Sequence, residues 1–72
     1  GVPLKELEEI KLSLEEFEVI RLIDFEKIPQ EQASKKMQIS QPTLSRILTN
    51  ARNKLADAII NSKAIKIEKL QC

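Results

Sequence analysis

The side chains best equipped to recognise another molecule are gathered between residues 40 and 54. Gln41 carries an amide able to bond adenine in a bidentate way, Arg46 a guanidinium suited to guanine or to a phosphate, and Thr43 a methyl that can touch a thymine methyl. Pro42 and Ser45 complete this set, and Ser45 is small enough to permit close approach. Lys35, Lys36, Ser40, Thr49, Arg52 and Lys54 flank it as candidates for phosphates, each neutralised phosphate steepening the salt dependence of binding. Catalysis has much less to work with. There is no His, the commonest general base and metal ligand. Ser40, Thr43 and Ser45 have no activating base nearby, and Glu6, Glu8, Glu9, Glu15, Glu16 and Glu18 read as solvated faces and a helix cap. No Gly-rich phosphate loop is present. Cys72 alone cannot build a zinc or iron–sulfur site, which needs about four ligands; it is a bystander or the first ligand of a cluster beyond this segment. The expectation is a binding protein, not an enzyme, with no cofactor and no metal.

The recognition set needs a frame, and residues 30–48 supply one as two short helices meeting at a sharp turn. Ala33 and Met37 share one helix face, Leu44 and Ile47 another, and Ile39 plugs the angle between them. Ser40 starts the second helix, its hydroxyl placed to accept from the Thr43 N–H. Pro42 is tolerated because first-turn N–H groups have no intrahelical partner. Nothing breaks the helical pattern before Asn61, so this helix is predicted over 41–60, ~30 Å at the usual rise per residue. Its apolar stripe is Leu44, Ile47 or Leu48, Ala51, Leu55, Ala58 and Ile59. In a helix-turn-helix such a second helix lies in the major groove.

Upstream, Ser13 and Glu16 form the S-x-x-E pattern of a capping box and open a helix predicted to run through Glu26. Its residues Leu14, Phe17, Val19, Ile20, Leu22, Ile23 and Phe25 point in nearly every direction, which predicts burial on more than one side. Phe17 and Phe25 are expected in the core. Lys27, Ile28 and Pro29 close this helix, since the residue before a proline is pushed out of the α region. Residues 2–10 read as a helical turn carrying Leu4 and Leu7, then an extended piece at 9–12. Residues 61–63 read as a turn, and 64–68 alternates like a strand. A lone strand is unstable, so these two strands are expected to pair, within one chain or between two.

Seventy-two residues make one domain with a thin core, because so short a chain buries only about 60% of its unfolded surface. That leaves few residues to cover the far end of the long helix. Leu55, Ile59, Ile60, Ile65 and Ile67 are therefore the expected homodimer interface. The net charge of +1 conceals a split: residues 1–31 carry four basic and nine acidic side chains, residues 32–72 eight basic and two acidic. One surface can thus attract a polyanion while another repels it. A single Cys fits a reducing, cytoplasmic setting. No apolar run reaches the roughly 18 residues of a membrane span, and no leader resembles a signal peptide. A start at Gly1 instead of Met reads as a fragment of a longer chain or a tag scar.

The runs at 14–28, 30–37, 39–48, 51–58 and 63–68 together resemble a family of small prokaryotic helix-turn-helix predicted DNA-binding proteins of undefined role. The likeness covers nearly the whole chain. More distantly the order of acidic first helix, motif and basic tail is similar to the promoter-recognising fourth region of bacterial sigma factors. The resemblance implies a DNA-binding fold and, by analogy, a transcriptional role. Two positions depart from the usual motif: Gln38 stands where the turn ordinarily has Gly, and Ser34 where the small packed residue is ordinarily Ala. Gln38 must then take a positive φ at some steric cost, or the turn is reshaped. The fold expected is mostly α, a three-helix helix-turn-helix core with a long recognition helix and a short two-stranded β ribbon from the termini. The function expected is a sequence-specific transcriptional regulator of double-stranded DNA. The rival is a protein-interaction module of the same fold, docking on RNA polymerase or another regulator through the acidic first-helix side. RNA binding is disfavoured by the shortage of aromatics for stacking.

Overall fold

In a computed structural model, which describes residues 8–68, the order of elements is strand, three helices, strand. β1 spans Glu9–Leu12, α1 Leu14–Ile20, α2 Gln30–Met37, α3 Gln41–Ile60 and β2 Ala64–Ile67. α1 continues without a break into one π segment, Arg21–Phe25. The fold is therefore mostly helical with a small two-stranded sheet. The turn expected around Leu4 and Leu7 and the last four residues lie outside the described residues.

The expected capping box opens α1. The Glu16 N–H donates to Ser13 Oγ at 3.1 Å, and the Ser13 N–H donates to Glu16 Oε1 at 2.9 Å. The helix does not stay α to Glu26, however. Its last turn widens, with the Glu26 N–H on the Arg21 carbonyl at 2.8 Å and the Ile28 N–H on the Leu22 carbonyl at 2.9 Å. One extra residue per turn rotates the side chains that follow. Val19 and Leu22 point into the core, while Phe25, expected there, is 81% exposed. Arg21 bridges the widened turn. Its Nε and Nη2 fork onto Glu18 at 2.9 and 3.0 Å, and Nη1 donates to Glu26, a neighbour only because the turn is wide.

Val19, Leu22, Ala33, Leu44 and Leu48 form the centre of the core, with Ile39 and Met37 among the residues packed around it. Burying one such Val or Leu is worth about 1.5–3 kcal/mol, so the four of them, with Ala33 closing the packing, dominate the stability of so small a domain. Ser34 is buried beside Ala33, and its hydroxyl is satisfied by donation to the Glu31 carbonyl at 2.9 Å. A serine thus replaces the usual alanine without an orphaned polar atom.

The three helical segments all end on a left-handed residue that is not glycine: Lys27 at φ 62°, Gln38 at φ 60° and Ser62 at φ 54°. After α2 the closure has two backbone bonds, Gln38 N–H to the Lys35 carbonyl at 3.1 Å and Ile39 N–H to the Ser34 carbonyl at 3.0 Å. This is the Schellman arrangement, which satisfies carbonyls that a helix end leaves free. The left-handed conformation costs a non-glycine residue roughly 1–2 kcal/mol, and the paired carbonyls and the packing of Ile39 offset it. Gln38 keeps the ordinary turn.

β1 and β2 pair in parallel within the chain, in register Glu9↔Ala64, Ile10↔Ile65, Lys11↔Lys66 and Leu12↔Ile67. The sheet packs on α3, where Leu12 and Ala58 are buried and Leu55 is half-buried. The sequence left open whether the strands pair inside one chain, and they do. This intrachain sheet leaves Ile67 half-buried, while Ile59, Ile60 and Ile65 stay exposed at 74%, 78% and 46%. Among the described residues, no helix is long and apolar enough to cross a membrane.

Candidate nucleic-acid interface

α3 begins directly after the closed turn. Ser40 caps it, accepting the Thr43 N–H at 3.2 Å and donating its own hydroxyl to Thr43 Oγ1 at 2.8 Å. Pro42 sits in the first turn, where its missing N–H leaves no bond unmade. The buried side of α3 is Leu44, Leu48, Ala51 and Ala58, so helical geometry turns the opposite side to solvent. Gln41, Pro42, Thr43, Ser45 and Arg46 are all exposed there, as the sequence predicts.

Two shallow open concavities of about 330 Å³ each follow this face. One is lined by Gln30, Gln41, Pro42 and Ser45, the other by Ser45, Arg46, Thr49 and Asn50. Ser45 joins them into one continuous track of amide, hydroxyl and guanidinium groups. Gln30 and Asn50 are additions to the sequence-predicted set. Asn50 had a signal, since it stands one helical turn after Arg46 on the same face. Gln30 had none, because its approach to Gln41 depends on how α2 meets α3. Thr49 is exposed, with Oγ1 donating to the Ser45 carbonyl at 3.0 Å.

The cations that the sequence offered for this face divide into two groups. Arg52 forks onto Asp24, Nε to Oδ2 at 3.2 Å and Nη2 to Oδ1 at 2.6 Å, and so ties α3 to the π segment. The Arg52 bond holds the Asp24 carboxyl below its ordinary range. Lys54 turns toward the sheet: Nζ donates to Glu16 Oε1 at 2.8 Å and to the Lys11 carbonyl at 2.9 Å. Burial pushes the Glu16 carboxyl up, but the bonds from Lys54 and Ser13 outweigh it and leave it lower than usual. By contrast Lys35, Lys36 and Arg46 make no ion pair with any described residue. Of the six residues the sequence offered for phosphates, Lys54 and Arg52 are thus employed inside the domain, 38 and 28 residues from their partners.

Among the described residues no cluster of His, Cys, Asp and Glu could hold a metal ion. A different surface is apolar: Phe17, Ile20, Arg21 and Phe25 line a concavity of about 350 Å³ on the first helix.

A family model described as "Protein of unknown function DUF134" matches residues 2–70. The chain is 52% identical over 68 residues to a UPF0251 protein of Caldanaerobacter subterraneus subsp. tengcongensis, covering 94% of this chain and 58% of that protein. It is 54% identical over 68 residues to a UPF0251 protein of Moorella thermoacetica, covering 94% of this chain and 46% of the relative. A UPF0251 protein of Halothermothrix orenii is 47% identical over 68 residues, 94% of this chain and 50% of its own length. The chain thus spans about half the length of the curated relatives it matches. No solved structure matches it.

Proposed function

We propose, from the premise that the chain belongs to the family described as protein of unknown function DUF134, that it is a helix-turn-helix reader of double-stranded DNA and serves transcriptional regulation in the cytoplasm. The observation that carries this reading is the division of the cations. Those that hold the domain together are paired with Asp24 and Glu16, whereas Arg46 lines a polar track whose lining residues include no acid and, like Lys35 and Lys36, makes no ion pair with a described residue. In this reading α3 enters the major groove. Gln41 and Arg46 bond base edges, Thr43 and Pro42 make apolar contact, Ser45 and Asn50 line the track, and Lys35, Lys36, Ser40 and Thr49 meet phosphates. Arg52 and Lys54 stay with their internal partners. The domain is a binding module and not an enzyme.

Selection of bound duplexes from a random pool at moderate salt tests the proposal. Recovery of a preferred site, lost in the Gln41→Ala, Arg46→Ala double variant, supports it; the absence of any preference at moderate salt overturns it. A second reading, docking on the transcription machinery through the first helix, is favoured by the exposed Phe25 beside Phe17 and Ile20. In that case the double variant behaves like the parent, and a Phe25→Ser variant does not.

A further inference from the structure

The two-stranded sheet has two outer edges, and they are not alike. The Ala64 N–H donates to the Glu8 carbonyl and the Glu68 N–H to the Leu12 carbonyl, both at 2.8 Å. Backbone groups alternate in direction along a strand. Residues 64, 66 and 68 therefore turn theirs to β1, and Ile65 and Ile67 turn theirs to the open side. On the other edge the outward groups belong to Glu9 and Lys11, and there Lys54 Nζ already caps the Lys11 carbonyl. The β2 edge has no such cover among the described residues. Short parallel sheets with an open side are marginal, since three or more strands are ordinarily needed. Apart from Phe25, the large apolar side chains exposed among the described residues lie in or just before this strand: Ile65 is in β2, and Ile59 and Ile60 end the helix that leads into it.

We infer that the β2 edge joins the β2 edge of a second copy of this chain in antiparallel fashion, centred on Ile67, to make a four-stranded sheet. The charges select this register. Centred on Ile67, Lys66 stands opposite Glu68 of the second copy, and Glu68 opposite its Lys66, so the two-fold axis makes the attraction twice. Ile67 pairs with its own equivalent and exchanges both backbone bonds. Centring on Lys66 would set two lysines face to face, and centring on Ile65 would set Lys66 against Ala64. Lys66 and Glu68 are exposed, so neither is needed for the fold of one copy. The inference stands on the strand edge and not on the DNA reading, and its test contains no DNA.

Sedimentation of the 72-residue chain over a range of concentrations gives the dimer constant. Lys66→Glu alone and Glu68→Lys alone each put like charges opposite one another at both symmetric positions, and each is expected to weaken association about tenfold. The double variant K66E/E68K restores the pairing and is expected to recover the parental constant, with circular dichroism unchanged throughout. In a second measurement, I67C in a Cys72→Ser background is expected to oxidise to a covalent dimer, because residues exchanging both bonds lie with Cα atoms about 5.5 Å apart, within disulfide reach. A chain that remains monomeric at millimolar concentration overturns the inference. So does a dimer that ignores both single swaps, or one that the double variant fails to rescue.

Discussion

Lys54 Nζ lies 2.8 Å from Glu16 Oε1, the same oxygen that accepts the Ser13 N–H at the start of α1. One carboxylate oxygen thus closes a helix cap and anchors the middle of α3, while the ammonium reaches on to the Lys11 carbonyl of β1. Three elements meet at a single charge pair, of which Glu16 is buried and Lys54 half-buried. Replacing Glu16 by Gln removes the charge but keeps an acceptor, and is expected to cost about 1–2 kcal/mol in urea unfolding at neutral pH.

The same pair sets a pH dependence. Because the Glu16 carboxyl is lowered in the folded chain, its stabilisation is complete above the ordinary glutamate range of about 4.3 and is lost as pH falls through the lower folded value. The difference between the parent and the Glu16→Gln variant should therefore be constant from about pH 6 to 8 and shrink as pH falls below about 4.3, measured by denaturant midpoints.

On the proposed DNA reading, Lys54→Met separates a structural cation from the groups that meet DNA. It is expected to lower stability by about 1–2 kcal/mol while leaving the salt slope of DNA binding unchanged. Arg46→Ala is expected to do the reverse, with stability within about 0.5 kcal/mol of the parent. It should lose about 1–3 kcal/mol of discrimination at one base position, or reduce the salt slope by about one, measured by titrations at several salt concentrations.

Gln38→Gly is expected to stabilise the domain by about 0.5–1 kcal/mol, since glycine removes the left-handed penalty and returns part of the gain as unfolded-state entropy. Gln38→Val should destabilise it, because a β-branched side chain tolerates positive φ poorly. Thermal midpoints of the three proteins check the order.

Asp24→Asn breaks the fork from Arg52. Both side chains are over a third exposed, at 37% and 54%, so the expected loss is below about 1 kcal/mol and should vanish in high salt, read from melting at two salt concentrations.

Much of this fold was legible in the sequence because the signals were local. Ser13 with Glu16, Ser40 with Thr43, and the step of three and four from Leu44 to Ala58 specify their elements within a few residues, and α3 has the predicted bounds. The π segment was not legible: no proline or glycine marks it, and it is decided by how Leu22 reaches the core and how Arg21 spans Glu18 and Glu26. Phe25 was misplaced for that reason. On the candidate face, Gln41, Ser45 and Arg46 followed from helical spacing. The commitments of Arg52 and Lys54 did not, since Asp24 and Glu16 are distant in sequence and meet them only after the helices pack.

The angle between α2 and α3 is closed by main-chain bonds at Gln38 and Ile39, and the core that holds it lies on the far side of α3. The outward residues Gln41, Ser45, Arg46 and Asn50 lend it no side-chain bond among the described residues. Scaffold and outward strip are consequently separable, and this strip of α3 can be rewritten, by descent or by design, while the frame that presents it stays the same.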